Sequence, residues 1–117
     1  MSETRISHRD AIFGQTVVLL RKRHGLEQGD LAERSGMSRA ALSRIERGDS
    51  SATIHAMTEI ASGLGVTLGQ LVNEYEGAEE ILKTQNVQIV SKAEAKNSGS
   101  ALALVGLAAL AILLAKK

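Results

Sequence analysis

Between Gln28 and Gly48 the chain reads QGDLAERSGMSRAALSRIERG, a spacing that fits two short helices joined by a tight turn and little else. Leu31, Ala32 and Ser35 fall on one helix, Leu42 and Ile45 on the next, with Gly36 between them. Small Ala32 lets the two helices approach closely. Gly36 stands where a chain leaving a helix needs a left-handed residue, and Ser38 is placed to cap a new helix beginning at Arg39. Leu42 and Ile45, three apart, turn an apolar stripe inward. Ser38, Arg39, Ala40, Ser43, Arg44 and Arg47 are then left to face out.

The same reasoning extends along the chain. Ile12, Phe13, Val17 and Leu20 recur at helical spacing over Asp10 to His24, and Gly25 supplies a stop. Helices over Gln28 to Ser35 and Arg39 to Glu46 follow. Gly48-Asp49-Ser50-Ser51 is turn chemistry, after which Thr53 or Ser51 can cap a fourth helix that buries Ile54, Met57, Ile60, Ala61 and Leu64. Gly65 ends that helix, and Thr67 caps a fifth containing Leu68, Leu71 and Val72. Five helices and no proline predict an all-α bundle. A chain of 117 residues, 44% hydrophobic but only 2% aromatic, can bury one small aliphatic core. The expected layout is an N-terminal arm over residues 1–9, a domain over 10–76, a linker over 77–100 and a hydrophobic tail helix over 101–117.

The segment from Gln28 to Gly48 resembles the helix-turn-helix of the lambdoid-repressor family of bacterial and phage regulators, the Cro/C1 or XRE type. Gln28, Ala32, Gly36, Leu42 and Ile45 fall on that family's Gln, Ala, Gly and two apolar positions, and Ser43 to Gly48 matches its helix ending. The resemblance runs from Phe13 to Val72, about sixty of 117 residues. It implies a lambda-repressor-like five-helix bundle and a sequence-specific DNA-binding transcription regulator, expected to act as a repressor. The third helix would lie in the major groove of double-stranded DNA, where each base pair shows a distinct donor and acceptor pattern. Ser38, Arg39, Ala40, Ser43, Arg44 and Arg47 would then be its outward, DNA-facing residues. Arg39 and Arg44 can each fork onto guanine, and Ala40 can meet a thymine methyl. Gln28, at the start of the second helix, would brace against a phosphate.

Charge is distributed less simply. The whole chain carries 14 Lys+Arg against 13 Asp+Glu, and residues 1–77 carry nine basic and ten acidic residues. Attraction to phosphate must therefore come from local clusters, Arg21-Lys22-Arg23 and Arg39, Arg44 and Arg47, with a shallow salt dependence. Glu46 would repel a phosphate and is expected to pair inside the domain, with Arg21 or Arg34. His8, His24 and His55 lie far apart with no ligand spacing and read as surface residues, so no metal site is expected. There is no cysteine, no nucleophilic triad and no phosphate loop, so neither an enzyme nor a cofactor is expected.

One recognition helix covers only a few base pairs, so the resemblance implies a homodimer holding two of them about 34 Å apart. The fifth helix is one candidate interface. Asn86 to Ser91, with Val87 and Ile89 alternating with Gln88, is another: a short strand able to pair with its symmetry mate. After a polar linker, Ala101 to Ala115 is fifteen residues without a charge, closed by Lys116-Lys117. As a helix it would cover about 22 Å, short of the roughly 30 Å hydrocarbon core of a bilayer. It is expected either to tether a cytoplasmic protein to the inner membrane or to bury itself in an oligomer or a protein partner, and Met1 to Asp10 does not resemble a signal peptide. The layout also resembles bacterial cell-shape proteins in which a helix-turn-helix domain grips a protein rather than DNA. Antitoxins share the domain as well.

Overall fold

A computed structural model describes residues 5–97; the expected tail helix over 101–117 lies outside the described residues. The elements run in the order β1 (Arg5–His8), α1 (Arg9–Arg23), α2 (Gln28–Arg34), α3 (Arg39–Glu46), α4 (Ile54–Leu64), α5 (Leu68–Thr84), β2 (Val87–Val90) and α6 (Lys92–Asn97). The fold is mostly helical, with six helices among the described residues.

Local chemistry places most of the boundaries. The Ser38, Thr53 and Thr67 hydroxyls each accept the backbone N–H three residues on, at 3.0 Å, and so start α3, α4 and α5. Gly65 closes α4 in the left-handed region, as Gly36 does for the chain leaving α2. The main core gathers most of the residues expected from helical spacing, but Ile54, expected on the buried face of α4, sits in that helix's first turn and is exposed, and Met57 is only partly buried. Phe13, Val17 and Leu20 of α1 meet Leu31 and Ala32 of α2, Leu42 and Ile45 of α3, Ile60, Ala61 and Leu64 of α4, and Leu71 of α5. No helix among the described residues is long and apolar enough to cross a membrane.

A second, smaller core departs from the expected layout. α5 does not stop at residue 76 but continues through Gly77 to Thr84, because Ala78 and Leu82 prolong the apolar row begun by Leu71 and Tyr75. These two pack with Ile12 on α1 and Val87 on β2. The expected strand near Val87 is present, but its partner is β1 of the same chain. The two run parallel, with Ile6 opposite Gln88 and Ser7 opposite Ile89. Part of the expected arm is thus a strand, and one edge of β2 pairs with β1 of the same chain. Residues 92–97 of the expected linker form α6, tied back by Lys92 Nζ, 2.8 Å from the Asp49 carbonyl and 3.6 Å from Asp10.

His8 corrects the expectation that all three histidines lie at the surface. It is buried, and its Nδ1 accepts the Ala11 N–H at 3.2 Å to cap α1, while His24 and His55 are exposed. Desolvation pushes its pKa below the ordinary imidazole value, which suits a nitrogen that must stay unprotonated to accept.

Candidate nucleic-acid interface

The α2–turn–α3 unit is built as its spacing implies. Met37 N–H donates to the Ala32 carbonyl at 3.0 Å across Gly36, whose φ is +64°, and Ser38 then opens α3. What fixes α3 against the rest of the domain is its contact with α1. Gly14 lies so close to the end of α3 that a Cβ there would sit 2.3 Å from the Ile45 carbonyl oxygen. Gly48, in the left-handed region at φ +77°, leaves 2.7 Å between an added Cβ and Ala11 Cα. Backbone meets backbone at both points, which side chains alone would not permit.

Beneath α3 sits a buried ion pair, the one expected for Glu46, with Arg21 as the partner. The Arg21 guanidinium grips the carboxylate twice, Nε to Oε2 at 2.9 Å and Nη2 to Oε1 at 3.1 Å, and its Nη1 donates to the Leu26 carbonyl at 3.0 Å. Their side chains are 10% and 4% exposed, so both charges depend on each other rather than on water. Glu46 Oε1 also accepts Gln28 Nε2 at 2.8 Å, and Gln28 Oε1 lies 3.4 Å from Arg39 Nε. A hydrogen-bonded row thus runs from Arg21 through Glu46 and Gln28 to Arg39 at the surface. Glu27 and Asp30 flank Gln28 at the start of α2, and the Asp30 carboxylate accepts the Glu27 N–H at 3.0 Å. They offset the positive pole of that short helix.

The outward side chains of α3 differ in what already occupies them. Ser38 accepts the Ala41 N–H, so its oxygen caps the helix. Arg47 donates to Asp49 Oδ2 at 2.9 Å and to the Ser43 hydroxyl, which draws both side chains toward the helix end. Arg39 reaches Gln28, and Ala40 is exposed. Arg44 is exposed and makes no side-chain hydrogen bond or ion pair with a described residue; its carbonyl receives Asp49 N at 2.9 Å. The structure therefore brings Arg39, Ala40, Ser43 and Arg44 onto one short helix, with Ser38 at its N-terminal cap, Arg47 at its C-terminal cap and Gln28 behind it. Of the supporting residues, Gly14 and Lys92 carry no signal in the local spacing. Among the described residues no group of His, Asp and Glu could hold a metal ion.

A recognition-sized helix presented on a two-helix unit defines a helix-turn-helix protein, and comparison with known proteins agrees. The helix-turn-helix family matches residues 19–71. The uncharacterized HTH-type transcriptional regulator y4dJ of Sinorhizobium fredii is 38% identical over 61 residues, 52% of this chain and 79% of that protein. The immunity repressor protein of Bacillus phage phi105 is 31% identical over 81 residues, 69% of this chain and 54% of that protein. The wild-type restriction-modification controller protein C.Esp1396I superposes with a TM-score of 0.57 at 29% identity, covering 64% of this chain and 95% of that one. The chain belongs to the helix-turn-helix family. It spans only 35% and 54% of the length of two curated relatives it matches.

Proposed function

We propose that this protein is a sequence-specific DNA-binding transcription regulator that reads the major groove with α3. The observation that carries the reading is Arg44, an exposed, uncompensated guanidinium on a helix whose inner side is fixed by the buried Arg21–Glu46 pair. A preoriented helix with a free fork suits bidentate contact to a guanine edge. Arg39 and Ala40 stand beside it for base contact. Ser38 and Ser43 reach bases or adjacent phosphates, Arg47 adds a phosphate contact, and Gln28 offers the second N–H of its amide. The names of relatives, an immunity repressor and a transcriptional regulator among them, agree with this role and favour repression. The reading needs no catalytic step. It places the domain in the cytoplasm and calls for a homodimer, with half-sites spaced by about 34–36 Å, one helical turn.

Selection of bound fragments from genomic DNA tests the reading. Enrichment of a two-fold symmetric site supports it, and Arg44→Ala should weaken binding to that site by about 1–3 kcal/mol while leaving the far-UV spectrum unchanged. The alternative, a protein-gripping module, draws on the near balance of nine basic and ten acidic residues over 1–77. Failure to enrich any sequence would favour it. The segment over 101–117 has the composition of a membrane attachment, which cell fractionation of the full chain tests: recovery wholly in the soluble fraction would exclude it.

A further inference from the structure

A groove of about 360 Å³ opens where the N-terminal ends of α1 and α4 meet α5. Phe13, Ala52, Ile54, Met57, Val72 and Tyr75 line it. The chain has one Phe, one Tyr and no Trp, so both of its aromatic side chains belong to this groove, with ring centroids 6.2 Å apart. Ile54 is 67% exposed, the one large hydrophobic side chain left so open among the described residues. Its exposure is not isolated, because it continues an apolar surface that runs inward between helices. An open Ile54 continuous with such a groove gives an apolar partner a place to dock.

We propose that in water this groove is occupied by the chain's own apolar segment, Ala101 to Ala115. The first reason is where the described chain ends. Lys92, the first residue of α6, is anchored at the rim of the groove by its ion pair with Asp10 and its bond to the Asp49 carbonyl, next to Ser50; Asp10 and Ser50 both line the groove. The remainder of α6 spans roughly 8 Å at 1.5 Å per residue. Residues 98–100 reach roughly 10 Å more when extended. The chain from Lys92 to Ala101 is thus short, on the order of 20 Å at most.

The second reason is chemistry. The segment has fifteen residues with no charge and eight Leu, Ile or Val side chains, each Å² of which gains about 25 cal/mol when covered, and the groove offers it aliphatic and aromatic surface, with the charged groups Arg9 and Asp10 beside that surface. The third reason is effective concentration. A short tether supplies the segment at the millimolar level, so a second copy of the chain, at micromolar concentration, competes poorly for the same surface. The proposal concerns this face only and is independent of DNA binding.

The absence of cysteine in the full chain makes the test direct. Met57→Cys in the groove is combined with a cysteine placed in turn at each position from 102 to 114 of the full-length protein. Thr58→Cys, the exposed neighbour, is the control, and Ile54→Cys is a second groove position should Met57→Cys fail to fold by circular dichroism. Under mild oxidation at low protein concentration, the groove positions should form an intramolecular disulfide at least tenfold faster than the control, read as a monomer with altered mobility on a non-reducing gel. Equal rates at groove and control, no disulfide with any tail position, or a covalent dimer as the main product would each overturn the proposal. The last outcome would assign the groove to a second copy.

Discussion

The two sides of α3 carry charge in opposite ways. Inward, Arg21 and Glu46 are buried, bidentate and supplied with further partners by Leu26 and Gln28. Outward, Arg39, Arg44 and Arg47 are exposed, held weakly, not at all, and by an exposed carboxylate respectively. The same residue type therefore serves two ends: on the inner side it sets where the helix lies, and on the outer side it remains available to a ligand. The distinction predicts that inner substitutions act on stability and outer ones on binding.

The largest effect belongs to Glu46. Glu46→Ala leaves the Arg21 charge buried without its carboxylate and strips Gln28 of its acceptor, so urea unfolding should show a loss of about 3–5 kcal/mol at an unchanged m-value. A loss below about 1 kcal/mol would mean that the pair does not anchor α3. Gly14→Ala tests the backbone contact on the same side. The added methyl would meet the Ile45 and Glu46 carbonyls, and the helices must separate, at a cost of about 1–3 kcal/mol despite alanine's better helix propensity. A stabilised Gly14→Ala variant would show that α1 and α3 are not in such close contact.

These two positions also show what was legible in the sequence. Glu46 was expected inside the domain because its charge sign conflicts with a phosphate-facing surface, and α1 to α4 follow from apolar spacing and cap residues that act within four residues of one another. Gly14 gives no such signal, since a glycine inside a helix has no local reason and the carbonyl above it belongs to a segment thirty residues later. The second core is non-local in the same way. β1 and β2 are four residues each, and neither pairs without the other, eighty residues away in sequence. The row Leu71, Tyr75, Ala78, Leu82 was readable as helical spacing, but Gly77 and the surrounding glutamates resemble a boundary. Gln28 was expected against a phosphate from its place in the motif; that its amide also links Glu46 to Arg39 was not legible, because the contact is set by how α2 and α3 pack.

His8 gives an effect of intermediate size, away from α3. Burial is the main influence on it, and it lowers the pKa; Asp10 and Asp49 oppose that shift and Lys92 adds to it. The folded chain thus binds fewer protons at this site than the unfolded chain. The contribution of His8 is complete above about pH 6.5, the ordinary imidazole value, and is lost as pH falls through the lower folded-state pKa. His8→Asn keeps an acceptor at the cap of α1 without a titrating ring. Its stability curve between pH 7 and pH 5 should be flatter than that of the parent. Parallel curves would show that His8 does not titrate with folding.

Arg47 tests the outer side where the expected effect is smallest. Its pair with Asp49 is exposed, with side chains 60% and 58% open, and such pairs contribute little to folding. Arg47→Ala should leave stability within about 0.5 kcal/mol. If Arg47 contacts a phosphate as proposed, the pair matters for binding, because Asp49 occupies its guanidinium. Asp49→Asn frees Arg47 and removes a negative charge beside α3. It should raise affinity for unrelated DNA sequences and steepen the salt dependence, whereas Arg44→Ala lowers affinity for the selected site alone. If Asp49→Asn left non-specific affinity and its salt slope unchanged, Arg47 would not be a phosphate contact, and the outer side of α3 would reduce to the arginines nearer its start and middle.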